Sequence, residues 1–176
     1  MTTTLLLARH GETIDNANKI MQGQTPGKLN TRGIEQAQEL ARKLSTRHID
    51  AFVSSDLKRS LDTCAIVAAE HGCERDGIVQ TPLLRERDWG SFTGRYIPDL
   101  KDAPWTKDIE TVEQMRSRAK LFLDFIQQRY NGMTVLAVGH GIINKAIQSV
   151  FYNKPMAEIE KMENAEVREL QILSLQ

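Results

Sequence analysis

The sequence predicts an α/β domain of three layers, with helices on both faces of a mostly parallel central sheet. Three observations carry that expectation. Short apolar runs, Leu5 to Ala8 and Val135 to Val138, have the length and content of strands buried on both faces. Apolar residues recur at helical spacing in the stretches between such runs. The two kinds of segment alternate along the chain, and short right-handed crossovers turn that alternation into parallel pairing.

Taken in order, the first run ends in Arg9-His10-Gly11-Glu12. Thr13 to Leu29, rich in Asn, Gly, Gln and Pro, reads as a long functional loop. Thr31 is the expected N-cap of a helix that buries Ile34, Ala37, Ala41 and Leu44. Ile49 to Ser54 reads as a second strand, with Ser55-Asp56 capping a helix that carries Arg59, Leu61, Ala65 and Ala68 and stops at Gly72. Ile78 to Gln80 is a short strand. Residues 84–108 hold both tryptophans and little regularity, so they are expected to form a lid or an active-site wall. Trp89, Phe92, Tyr96 and Trp105 there read as local packing or pocket wall rather than a partner-binding patch.

Thr111 and Gln114 have the spacing of a capping box, followed by the stripe Val112, Met115, Ala119, Phe122 and Ile126, which ends near Asn131-Gly132. Thr134 to Gly139 repeats the first strand's design and ends in His140-Gly141. A helix from about Ile142 to Phe151 and a last strand from Glu166 to Leu175 complete the reading.

Bulk properties narrow the function. A chain of 176 residues suits one domain, here taken as 1–176, and 40% hydrophobic with 26% charged residues is ordinary for a globular protein. Basic and acidic residues both total 23, which argues against nucleic-acid and membrane-surface partners and requires any anion site to be a local cluster of arginines. Cys64 and Cys73 form no Cys-x-x-Cys pair, so a buried thiol and a loop thiol are expected, without disulfide or metal. No basic stretch followed by a long apolar one opens the chain, and cytoplasmic residence is the expectation. Homo-oligomerisation stays open.

Four residues follow predicted strands: Arg9 and His10 after the first, Arg59 after the second, His140 after a later one. Carboxyl ends of neighbouring parallel strands converge, so these side chains can meet. Guanidiniums suit phosphate oxygens, and a neutral imidazole attacks phosphorus without prior deprotonation. Gly11 and Gly141 would let a phosphate approach the backbone, and the helix after His140 would offer it N–H donors. His48 and His71, at helix ends, are assigned no function.

These residues, with others, resemble the histidine phosphatase superfamily, the phosphoglycerate mutase-like proteins, over nearly the whole chain. Leu6-Leu7-Ala8-Arg9-His10-Gly11-Glu12-Thr13 is similar to that family's opening motif, and Asn16 and Gln22-Gly23 to its phosphate loop. Leu29-x-x-x-Gly33-x-x-Gln36-Ala37, Ser54-Ser55-x-Leu57-x-Arg59 and Val138-Gly139-His140-Gly141 continue the likeness, as does the acid-bearing Leu84-Arg85-Glu86-Arg87-x-Trp89-Gly90-x-x-x-Gly94. The resemblance implies a phosphoglycerate mutase-like fold. It implies that His10 becomes phosphohistidine, that Arg9, Arg59 and His140 hold the phosphoryl group, and that Glu86 is general acid and base. Asn16, Gln22, Gly23 and Gly141 would bind substrate, with Arg87 either contacting a second phosphate or carboxylate or standing as a surface arginine.

The likeness is incomplete around the substrate. Ile20 stands where a basic residue is common, Gln24 to Lys28 replace an acidic continuation, and Asp108-Ile109-Glu110-Thr111 keeps only the Glu and a hydroxyl of a Gly-Gly-Glu-Ser stretch. The favoured expectation is a phosphomonoesterase for a small phosphate ester, without metal or cofactor, because Arg9, Arg59 and a protonatable His140 supply the charge. The alternatives are a cofactor-dependent mutase, which would need a 2,3-bisphosphoglycerate primer, and a non-catalytic phospho-ligand binding protein.

Overall fold

The computed structural model describes residues 1–174. Its five strands are β1 (Thr2–Arg9), β2 (Ala51–Ser54), β3 (Val79–Gln80), β4 (Thr134–Gly139) and β5 (Val167–Leu173), in sheet order β3-β2-β4-β1-β5. The first four are mutually parallel, and β5 closes one edge antiparallel to β1. The helices are α1 (Ile14–Ala17), α2 (Thr31–Leu44), α3 (Lys58–Ala69), α4 (Val112–Arg129) and α5 (Gly141–Tyr152).

The period-two alternation of a strand sorts β1 and β4 between two cores. Leu5, Leu7, Val135 and Ala137 pack on α4 and α5 through Met115, Ala119, Phe122, Ile126, Ile143 and Ile147. Leu6, Ala8, Leu136 and Val138 face α2 and α3 through Leu40, Ala41, Leu44, Cys64 and Val67. The three-layer mostly parallel sandwich is therefore present as expected. Register then places the site: Arg9 lies opposite Gly139, so His10 and His140 each stand one residue beyond adjacent strand ends.

Several boundaries differ from the sequence reading. Asn30, not Thr31, caps α2, accepting from the Gly33 N–H at 2.8 Å. The buried face of α2 runs Gly33, Ala37, Leu40, Ala41 and Leu44, leaving Ile34 42% exposed. Gly33 draws that face inward because its Cα packs directly on the backbone of Glu12. Neither Ser55 nor Asp56 caps α3, whose N-cap Leu57 has no side-chain bond; Asp56 instead takes a bidentate ion pair from Arg85. β2 starts at Ala51 rather than Ile49, because Asp50 exchanges backbone and side-chain bonds with Thr134 at the strand entrance. The loop after β1 contains the one-turn α1, capped by Thr13 and Asn16.

The capping box of Thr111 and Gln114 is formed, although Val112 of the predicted stripe is 46% exposed while the other four are fully buried. A first-turn residue of α4 precedes the helix's contact with the sheet. α5 begins one residue early at Gly141. Of the last predicted strand, Glu166 precedes β5 and Leu175 lies outside the described residues. Residues 84–108 contain only short 3-10 turns, fastened by a third apolar cluster of Trp89, Phe92, Leu100 and Ile109. Among the described residues no helix is long and apolar enough to cross a membrane.

Candidate active site

The rings of His10 and His140 meet at 5.1 Å between centroids, inclined by 60°. Nδ1 of His10 lies 2.6 Å from the carbonyl oxygen of Gly11. A carbonyl only accepts, so Nδ1 carries the proton and Nε2 keeps its lone pair. Burial, then the charges of Arg59 and Arg9, hold His10 well below the usual histidine range and therefore neutral. His140 is depressed for the same reasons, burial first and then Arg59, so it adds no positive charge at neutral pH. That corrects the expectation of a protonatable His140. The cationic charge at this end of the sheet belongs to the arginines.

Arg59 is 1% exposed and grips the loop after β1, with Nη2 donating to Gly23 O at 2.8 Å and Nη1 donating to Thr25 O. Desolvation pulls its guanidinium down to about 10, with Glu86 and Asp15 opposing, so it stays charged at neutral pH. Arg9 donates from Nη1 to Met162 O at 2.7 Å and is likewise lowered, chiefly by burial. The Nε of both arginines is buried without a partner among the described residues. Two oriented cations with unspent donors beside a neutral imidazole suit a phosphoryl group.

The loop itself is braced from within. Thr13 donates to Gln22 Oε1 at 2.9 Å, and Asn16 Oδ1 accepts from the Thr13 N–H, which holds Asn16 and Gln22 in the lining of the cleft. Gly11 has a different reason from the one expected. A Cβ there would stand 2.4 Å from Gly33 O, so its bareness serves helix packing rather than a phosphate.

Glu86 enters from the irregular segment and places its carboxylate at the start of α5. It accepts from the N–H groups of Arg87 at 2.9 Å, Ile142 at 3.1 Å and Ile143 at 3.0 Å. These helix N–H donors, expected to serve phosphate, instead orient this acid, as the positive end of a helix favours. Behind it, Arg118 donates to the carbonyls of Leu83 and Arg85 and pairs with Glu110 at 2.8 Å, and Gln24 donates to Glu86 O at 3.2 Å.

A cleft of about 630 Å³ opens over these groups. Arg9, His10, Asn16, Gln22, Gly23, Arg59, Glu86 and Gly141 all line it, and the fully buried His140 packs its ring against that of His10. Arg87 is not in the lining. Its guanidinium lies between the rings of Trp89 and Trp105, 4.7 and 4.9 Å from their centroids, and donates to Glu110 O at 2.8 Å. The aromatic pair and that carbonyl engage it outside the cleft lining, which departs from the expected substrate contact. The other two histidines stay outside: His48 pairs with Asp50, and His71 packs against Phe52.

The sequence reading missed Lys19, Lys145 and Lys161, which line the mouth with Glu12 and Glu163. Lys145 could have been found, since it lies one turn along α5 from Gly141; nothing local distinguishes the other two. Ser55 was missed as well, though its hydroxyl lies 2.7 Å from Nε2 of His140. Among the described residues no group of three or more His, Cys, Asp or Glu is placed to hold a metal ion.

Comparisons with known proteins identify the family and the fold. The family model described as the histidine phosphatase superfamily (branch 1) matches residues 5–175. A metal-independent phosphoserine phosphatase of Arabidopsis thaliana is 33% identical over 161 residues, covering 82% of this chain and 67% of the relative. A probable phosphoglycerate mutase GpmB of an Enterobacter species is 31% identical over 163 residues, covering 85% and 74%. The native structure of a mycobacterial glucosyl-3-phosphoglycerate phosphatase superposes with a TM-score of 0.82 at 25% identity, covering 97% of this chain and 91% of that one.

Proposed function

Since the chain belongs to the histidine phosphatase superfamily, we propose that it is a phosphomonoesterase that hydrolyses small phosphorylated metabolites through a phosphohistidine on His10. The observation that carries this reading is the bond from His10 Nδ1 to the Gly11 carbonyl, which leaves Nε2 nucleophilic in the field of Arg59 and Arg9. In the first step Nε2 forms a bond to phosphorus while the ester P–O bond breaks. Glu86 gives its proton to the departing oxygen. Arg9 and Arg59 balance the charge on the phosphoryl oxygens, with His140 completing their coordination. A water then attacks phosphorus, loses its proton to Glu86, and releases inorganic phosphate as the P–N bond breaks.

Asn16, Gln22, Gly23 and Gly141 form the walls in this scheme, and the lysines at the mouth meet the rest of the substrate. Arg9 and Arg59 already supply the charge that a divalent cation would bring, so the reaction runs without metal or cofactor. Activity is expected to survive EDTA; loss in EDTA with recovery on magnesium would overturn that part. The relative named a probable phosphoglycerate mutase, together with Lys19, Lys145 and Lys161, supports phosphotransfer between positions as the second reading.

One experiment separates the readings. A panel of phosphomonoesters is assayed with wild type and His10→Ala, alongside 3-phosphoglycerate with and without its bisphosphate primer. Release of phosphate supports hydrolysis, isomerisation supports the mutase, and no turnover on any compound supports phospho-ligand binding alone. Base-stable, acid-labile label on the wild-type chain, absent from His10→Ala, is the expected mark of the intermediate.

A further inference from the structure

Ser55 stands just past β2, where its hydroxyl could cap α3 but turns instead to His140. The residue is fully buried, and its Oγ lies 2.7 Å from Nε2 of a fully buried imidazole. Counting protons decides who donates. Leu57 N–H already donates to Ser55 Oγ, at 3.3 Å. Neither neighbouring hydroxyl is hydrogen-bonded to Ser55 Oγ: Ser54 donates to Ser55 O at 2.9 Å and Ser60 to Val138 O at 2.6 Å. Among the described residues, the one acceptor within reach of the Ser55 hydroxyl proton is Nε2 of His140.

Were Nε2 instead the protonated nitrogen, it would donate to Oγ and strand the Ser55 proton in a dry site, where an unmade hydrogen bond is costly. A doubly protonated ring is opposed by the charged and titratable groups that face it, Arg59, His10, Arg9 and Arg118. One arrangement leaves only a single polar atom of the pair without a partner. Oγ–H donates to Nε2, and the ring's own proton sits on Nδ1. That nitrogen is buried with no partner among the described residues.

We propose that Ser55 is a positioning residue that fixes His140 as its neutral Nδ1–H tautomer, so that the ring presents a hydrogen-bond donor, not a lone pair, to the phosphoryl group. The two histidines then divide their duties. His10 spends its Nδ1–H on Gly11 and offers the Nε2 lone pair, while His140 spends its Nε2 lone pair on Ser55 and keeps a donor in hand. The opposite tautomer of His140 would set a second lone pair against an anion that already faces one. The tautomer itself stands on the hydrogen bonds alone, whereas its use in catalysis rests on the phosphohistidine reading above.

The test is long-range proton–nitrogen correlation NMR on the full chain labelled with 15N-histidine at pH 7, with His140 assigned by comparison with His140→Gln. In wild type, His140 Nδ1 is expected to show the shift of a protonated nitrogen and Nε2 that of an unprotonated one. Ser55→Ala is expected to move the ring toward the Nε2–H form, and Ser55→Thr, which keeps the hydroxyl, to restore it. The same Ala variant is expected to lose about tenfold to a hundredfold in kcat, with the Thr variant recovering most of it. Protonated Nε2 in wild type, or an unchanged tautomer in Ser55→Ala, overturns the proposal. The expected tautomers with an undiminished kcat overturn its catalytic half. The wild-type spectrum reports the tautomer even if no substrate is turned over, so failure here is distinct from failure of the phosphatase reading.

Discussion

Acidification should destabilise this protein in a pH range where most proteins scarcely respond. His10 and His140 are held well below the usual histidine value by burial and by Arg59. In the unfolded chain both titrate near the ordinary value of about 6.5. Below that pH the unfolded state takes up protons that the native state refuses, so unfolding free energy falls as pH falls. Above it both states are neutral at these rings and the effect vanishes. At about pH 5 each ring costs roughly 1.36 kcal/mol per unit over about 1.5 units, or about 2 kcal/mol, and the pair about 4 kcal/mol. That is a large share of a typical domain stability of about 5–15 kcal/mol.

The lowered carboxylates Asp50, Asp56 and Glu169 act in a separate window. Their contribution is present above the ordinary carboxyl value and is lost only as pH falls through about 4 and below. Urea midpoints between pH 7.5 and 5 therefore isolate the histidines, provided the buffer contains no phosphate that would stabilise the cleft by binding. His10→Gln and His140→Gln are each expected to remove about half of the slope. A midpoint independent of pH across that window in wild type, or a double variant that keeps the full slope, would refute the assignment of the two rings as buried and neutral.

Three other perturbations have defined outcomes. Gly33→Ala would place a Cβ 2.0 Å from Glu12 O, and the overpacking should lower stability by about 1–3 kcal/mol while reducing turnover, because the displaced backbone also carries His10; unchanged thermal denaturation would contradict this. Arg87→Ala should cost about 1–2 kcal/mol through loss of its place between Trp89 and Trp105, with KM for small phosphate esters little altered; a KM effect without a stability effect would return Arg87 to the cleft. Glu86→Gln should slow turnover of esters with poor leaving groups far more than that of aryl phosphates, about a hundredfold or more for the former, and equal losses for both would remove it as the proton donor.

Much of the fold was legible because strands buried on both faces declare themselves. Leu5 to Ala8 and Val135 to Val138 leave no other reading, and the capping box at Thr111 marks the start of α4 from sequence alone. Errors gathered where one backbone rests on another. The buried face of α2 is centred on Gly33, which periodicity ignores because it has no side chain, and Ile34 was placed inside in its stead. Ser55 looked like a helix cap because cap and buried hydroxyl are the same residue type; its choice of His140 depends on a partner 85 residues away.

The same distinction governs the site. Parallel register is a rule that converts sequence into position: once β1 and β4 pair with Arg9 opposite Gly139, the residue after each strand must face its counterpart. His10 and His140 could thus be brought together on paper. Glu86 obeys no such rule. Its segment has no periodicity, and its place is set by Gln24, by Arg118, and by the N–H groups of Ile142 and Ile143, whose availability depends on α5 starting at Gly141. The helix end that looked like a phosphate site is occupied by the Glu86 carboxylate, which puts that carboxylate and the strand-end imidazole on one edge of the sheet. The place of His10 is therefore a consequence of strand pairing, readable from local pattern, whereas that of Glu86 is a consequence of packing between distant segments, which only the assembled fold displays.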